Sequence, residues 1–275
     1  MNVSSYYERK KKNGLKFRLS FVLLFVFASF IACFAIYMKS GEVPEKPYTE
    51  IVSITESVST EEEERTSTAD INPIAESAAR DESYFDSCMF AGDSLIVGLG
   101  TYGLIPEDRI AANIGMSVMS INTTPLTEPD GTEILAAEKI NAAAPENLYI
   151  LLGLNQLGSY TDEQLLAAYG DFIDSIDREK TNIYIISVPP VTGERETDED
   201  RPILNSDIDN FNSDLLKFAN NRCVYYLDLN TVLKGSDGRF REDYAEADGI
   251  HFMKSTYRIM LDFLLTHVYG ELVFS

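Results

Sequence analysis

Phe90-Ala91-Gly92-Asp93-Ser94-Leu95-Ile96-Val97-Gly98 is the stretch on which the fold turns. The apolar run Cys88 to Ala91 reads as a short buried strand. It stops at Gly92, where the backbone can turn sharply, and an apolar, helix-compatible segment follows. Ser94 is thereby set at the C-terminal end of a strand and the start of a helix. In open α/β sheets ligands bind at that point, and the free N–H groups of the helix suit a developing negative charge. A serine so placed is a helix cap or a nucleophile, depending on whether the chain supplies a base.

Working outward, short apolar runs recur at Arg109–Ala112, Leu148–Leu152, Ile183–Val188 and Val224–Leu227. Amphipathic stretches lie near Ile134–Ala143, Asp162–Ile176, Ile208–Asn220 and Thr256–Val273. Thr161 and Gln164 form a capping box ahead of one of them. Pro189-Pro190 ends the fourth strand. Strand–helix alternation of this kind implies a parallel sheet with helices on both faces.

Upstream the composition changes twice. Residues 1–18 are basic, with Arg9, Lys10, Lys11, Lys12, Lys16 and Arg18. Leu19 to Met38 then carry no charge at all. As a helix such a run spans about 30 Å, the thickness of a bilayer's hydrocarbon core. It reads as a transmembrane helix, with the core of a signal peptide as its rival; the preceding cations place the N-terminus in the cytoplasm and the bulk of the chain outside. Residues 39–80 are rich in Glu, Ser and Thr and include Glu61-Glu62-Glu63-Glu64. They read as a disordered acidic linker, leaving residues 81–275 as the folded domain.

The formal net charge is −21, which argues against nucleic acid or anionic lipid as a partner of the exported part. Cys33, Cys88 and Cys223 are too few and too scattered for a disulfide framework or a metal site, so free thiols are expected.

Only two histidines can serve Ser94 as a base. His267 sits among Phe263, Leu264, Leu265 and Val268, where packing is its expected role. His251 falls in Asp248-Gly249-Ile250-His251-Phe252, just before the last helix. A carboxylate three residues ahead can hold the imidazole in one tautomer and stabilise the imidazolium. Pairs of this spacing also occur in plain turns, and spacing alone leaves both readings standing. Asn155, in Gly153-Leu154-Asn155 after the third strand, could aim its amide into the crevice as an oxyanion donor. Gly115, in Asn113-Ile114-Gly115 after the second strand, would let a backbone N–H approach the same point. Each of these could equally be an ordinary turn.

Together the four sites lie along one rim of one sheet, and in this order they resemble the SGNH/GDSL hydrolase family. Gly92-Asp93-Ser94-Leu95 matches its first block, Gly115 its second, Gly153-Leu154-Asn155 its third and Asp248-Gly249-Ile250-His251 its fifth. The resemblance covers roughly residues 84–274. It implies a flavodoxin-like α/β/α sandwich around a five-stranded parallel sheet. It also implies an ester hydrolase needing no metal or cofactor, in which Ser94 attacks, His251 is the base and Asp248 orients it. The N–H groups of Ser94 and Gly115 and the Asn155 amide would form the oxyanion hole. Gln156 departs from the family, where an Asp often follows the Asn. Ser94 is not in a Gly-x-Ser-x-Gly elbow, which counts against the α/β-hydrolase fold.

The expectation is a membrane-tethered extracytoplasmic serine esterase, removing acyl groups, acetyl foremost, from a cell-envelope glycan. Acyl transfer to a glycan hydroxyl and a catalytically silent glycan-binding domain are the alternatives. Asp93 receives no role from sequence reasoning.

Overall fold

Alternation of side chains across the strands builds two cores rather than one. In Cys88–Gly92 (β1), Met89 and Ala91 join one apolar cluster while Cys88 and Phe90 join the other. Asn147–Leu151 (β5) and Asn182–Ile186 (β6) divide in the same way, as a period of two requires. With Ile110–Ala112 (β2) and Tyr225–Leu227 (β7) these strands form one sheet in the order β2-β1-β5-β6-β7. Every pairing in it is parallel. Two further short strands, Leu126–Thr127 (β3) and Glu133–Ile134 (β4), make a separate antiparallel hairpin. The computed structural model describes residues 71–270.

Helices cover both faces. Ala136–Ala143 (α2), Asp162–Asp174 (α3) and Asn205–Arg222 (α5) pack against the Met89 face through residues such as Ile140, Phe172 and Leu215. Ser94–Thr101 (α1), Leu229–Leu233 (α6) and Lys254–Thr266 (α7) cover the Phe90 face through Leu99, Leu233 and Met260. A short helix, Gly193–Glu196 (α4), follows β6. Leaving the hairpin aside, the parallel strands run 2-1-3-4-5 in chain order, the flavodoxin-like arrangement. The five expected strands are all present within a residue or two. The Thr161–Gln164 capping box forms, with the Gln164 N–H donating to Thr161 Oγ1 and the Thr161 N–H to Gln164 Oε1. Cys88 and Cys223 are both free thiols.

Across the Phe90 face, Phe90, Tyr149, Tyr184 and Tyr225 occupy one register on four successive strands. Their ring centroids are 5.3, 4.9 and 4.7 Å apart. Spacings of that size are contact distances for aromatic pairs, so the row ties the strands together laterally where no helix residue intervenes.

Two boundaries depart from the sequence reading. Residues 71–80, assigned to the disordered linker, run along the domain instead. Asn72 Nδ2 donates to Val224 O and Asn220 Oδ1, its Oδ1 accepts from the Tyr226 N–H, and the Ile74 N–H donates to Tyr226 O. The segment thus covers the open edge of β7, whose backbone groups would otherwise be unpaired. Farther on, the N–H groups of Ser77 and Arg80 bond to the carbonyls of Thr266 and Leu265. Composition registers little of this docking, because it uses backbone groups, a few polar side chains and the single buried Ile74 rather than a periodic apolar face. The last helix was expected to reach Val273 and stops at Thr266, where the same segment takes up its terminal carbonyls. The proposed basic segment 1–18, transmembrane helix 19–38 and most of the linker lie outside the described residues. Among the described residues no helix is long and apolar enough to cross a membrane.

Asn72→Ala strands the Tyr226 N–H and removes three bonds from the edge of the sheet. Urea unfolding is expected to show a loss of about 1–3 kcal/mol.

Candidate active site

The site begins with a close approach. At the end of β1 a Cβ on Gly92 would stand 2.5 Å from both the Leu151 carbonyl oxygen and Ile96 Cγ1, so only glycine fits. The next residue, Asp93, caps α1: its Oδ1 accepts from the Leu95 N–H at 3.0 Å. Ser94 is the first residue of that helix. Its side chain stands where strand and helix meet.

His251 Nε2 lies 2.8 Å from Ser94 Oγ, and His251 Nδ1 lies 2.5 Å from Asp248 Oδ2. Asp248 accepts the Nδ1–H, which leaves Nε2 bare to accept from the serine hydroxyl. The other Asp248 oxygen accepts the N–H groups of Ile250 and His251, both at 2.9 Å, so the acid is locked to its own loop. Burial pushes the Asp248 carboxyl upward, but the His251 ring and these two N–H groups outweigh it and hold it below the usual range. Gly249 turns the loop at φ +72°, with its carbonyl accepting the Thr192 N–H at 3.1 Å. A Cβ there would meet Thr192 Oγ1 at 2.2 Å. The loop after β6 therefore braces the loop that carries the histidine.

Asn155 occupies a 3-10 turn, Leu154–Gln156, entered through Gly153 at φ +133°. Its Nδ2 donates to Asp93 Oδ2 at 3.1 Å and to Met116 O at 3.3 Å. Gly115, at φ +75°, precedes Met116 in an exposed turn closed by a bond from the Met116 N–H to Asn113 O. The structure thus links Ser94, His251 and Asp248 by hydrogen bonds, ties Asn155 to Asp93, the residue before Ser94, and sets Gly115 beside Met116, whose carbonyl the Asn155 amide also meets. His267 lies elsewhere, stacked on Phe263 at 4.0 Å and bonded through Nδ1 to the Phe263 carbonyl.

Sequence reasoning missed Asp93. Its carboxylate is almost wholly buried and spends one oxygen on the helix and the other on Asn155. Burial pushes its pKa up to about 6, against the pull of the Leu95 N–H and of His251. An acid just ahead of a short helix was visible; its second partner, sixty-two residues away in the chain, was not.

A model of the GDSL-like lipase/acylhydrolase family matches residues 90–259, a span holding every residue of this cluster. The chain belongs to that family. As a GDSL-like acylhydrolase it is a serine ester hydrolase. No curated protein matches the sequence. Among solved structures, a protein from Streptococcus pneumonia described as a putative platelet activating factor is 19% identical, with a TM-score of 0.50 over 73% of this chain and 88% of that one. A putative lipolytic protein of the G-D-S-L family from Desulfitobacterium hafniense is 14% identical, with a TM-score of 0.50 over 66% of this chain and 99% of its own. At these identities the likeness is one of fold.

Asp93 makes stability depend on pH in a defined direction. Its folded pKa of about 6 lies above the ordinary value near 4, so the folded state holds the proton more tightly. The penalty of burying its charge is full above pH 6 and fades as pH falls toward 4. Measured against Asp93→Asn, wild type should gain about 2 kcal/mol of relative unfolding free energy between pH 7.5 and 4.5. Urea titrations of both proteins at the two pH values check this.

Proposed function

We propose that this chain is a membrane-tethered, extracytoplasmic serine esterase that removes acyl groups from a cell-envelope glycan, using Ser94 as nucleophile. The 2.8 Å contact between Ser94 Oγ and His251 Nε2, with Nδ1 held by Asp248, is the observation that carries the reading. His251 takes the hydroxyl proton as Oγ attacks the ester carbonyl, and Asp248 stabilises the imidazolium that results. The negative charge on the carbonyl oxygen is received by the N–H groups of Ser94 and Gly115 and by the Asn155 amide. Of the two bonds that amide now makes, the longer one, to Met116 O, is exchanged for the oxyanion. Asp93 keeps the other and so fixes the direction of the donor. Collapse returns the proton from His251 to the leaving alcohol and leaves Ser94 acylated. Water, deprotonated by His251, then releases the acid.

Tethering rests on the uncharged run 19–38 and the cations ahead of it. The glycan, and acetyl as the foremost acyl group removed from it, rest on the location that tether gives and on analogy with the family. Hydrolysis and transfer share the same acyl-enzyme.

Ser94→Ala should lower p-nitrophenyl acetate hydrolysis at least 1,000-fold, and Asn155→Ala about 100–1,000-fold, the usual cost of one oxyanion donor. Equal rates for wild type and Ser94→Ala would sink the proposal. For the tether, full-length protein should sediment with membranes and keep its N-terminus on sequencing. A free mature chain starting near Ala35 would refute it.

A further inference from the structure

We infer that Tyr102, at the far end of α1, is a positioning residue for the reaction: through Glu246 it sets where His251 stands relative to Ser94. This rests on the serine-esterase reading and adds two residues to it, neither of which touches the reacting atoms.

Asp248 and His251 occupy the tip of a small hairpin, residues 244–253. The Glu246 N–H donates to His251 O at 2.7 Å and the Met253 N–H to Tyr244 O at 3.0 Å, with Ala245 and Phe252 paired antiparallel between them. The Gly249 N–H closes the turn on Glu246 O at 2.9 Å. This hairpin belongs to neither sheet, so its neighbours fix the aim of the imidazole. The loop after β6 meets it at Gly249, through the Thr192 N–H. The other neighbour is α1.

Tyr102 is the C-cap of α1, the helix that Ser94 begins. Eight residues of helix hold the two ends about 12 Å apart. From that cap Tyr102 bonds to the chain on both sides of His251. Its hydroxyl donates to Glu246 Oε1 at 3.0 Å, and its carbonyl accepts from Lys254 Nζ at 2.9 Å. Between its ends α1 lies hard against α7. A Cβ on Gly98 would stand 1.9 Å from Tyr257 Oη, and the Tyr257 ring packs on Phe252, next to His251, at 5.2 Å.

A closed circuit results. It runs from Ser94 along α1 to Tyr102, across to Glu246, back to His251 O, and from Nε2 to Ser94 Oγ. Glu246 has no ion-pair partner among the described residues, so the Tyr102 hydroxyl is what its carboxylate holds. That bond keeps the phenol above its usual pKa, so it remains a donor wherever His251 is a base. For stability an exposed bond of this kind counts for little. For catalysis it counts for more, because misplacing a reacting group by about 1 Å can cost about 100-fold.

The test is p-nitrophenyl acetate hydrolysis by full-length protein, with urea midpoints measured on the same samples. Tyr102→Phe deletes the hydroxyl and keeps the ring and carbonyl; Glu246→Ala deletes the acceptor. Each is expected to lower kcat about 5–20-fold and to leave KM within about twofold of wild type. The double variant should lose no more than either single one, because the same bond is gone in all three. Glu246→Gln keeps an acceptor oxygen and should restore most of the rate lost in Glu246→Ala. Unchanged kcat in both single variants, losses that multiply in the double variant, or a raised KM with kcat intact would overturn the inference and leave the esterase standing. Failure of wild type to cleave the ester would overturn both.

Discussion

The tight approach of β1 to β5 at Gly92 is the constraint from which the rest of the site follows. Gly92 pairs with Leu151, the last residue of β5, and no Cβ could stand between them. The sheet therefore stays closed up to the point where the chain turns into α1. One consequence is that Asp93 is carried inside, because the turn leaves it no path to solvent. A buried carboxylate must find donors. It finds the Leu95 N–H on its own helix and the Asn155 amide on the next strand's loop. The same close contact that presents Ser94 thus also orients the Asn155 amide.

The histidine half of the site is built on different principles. Asp248 and His251 belong to one short loop, tied by bonds spanning two or three residues. That loop owes its placement to Thr192, whose N–H meets Gly249 O, and to the absence of a side chain on Gly249. Glu196 in turn anchors α4, just after Thr192, by accepting from Arg239 and from the Asn205 N–H. The two halves meet where Ser94 bonds His251, with Phe252 and Ile250 on either side of the histidine packed into the two cores.

What was legible in the sequence follows this division. The five strands announced themselves because parallel strands buried on both faces are short apolar runs. The capping box and the Gly-Asp-Ser turn depend on neighbours in the chain and were equally plain, whereas the spacing of Asp248 and His251 left a plain turn and a catalytic pair both open. Features that depend on distant partners were not. Asp93 and Asn155 are brought together by the order of β1 and β5, which no local pattern encodes. The β3–β4 hairpin has two-residue strands, too short for any period to register. Residues 71–80 look like linker by composition, and Asn72 docks with the hydrogen bonds of one amide. The resemblance to a family supplied roles where the residues alone left turns and catalytic groups equally open.

The docking of residues 71–80 also determines how the domain answers to force. Tension arriving from upstream of Asn72 meets β7, the edge strand farthest from β2, and the C-terminal carbonyls of α7. Two strands, β5 and β6, separate that anchorage from β1 and Ser94. The aromatic row couples β7 to β6 and β5 by ring contacts, so a pull is shared across the sheet before it reaches the serine. A pull entering at Asn72 loads hydrogen bonds at the edge of the sheet before it loads the strand that presents Ser94. Asn72 then acts as a strain relief, in the sense the term has for a cable: it meets the load first.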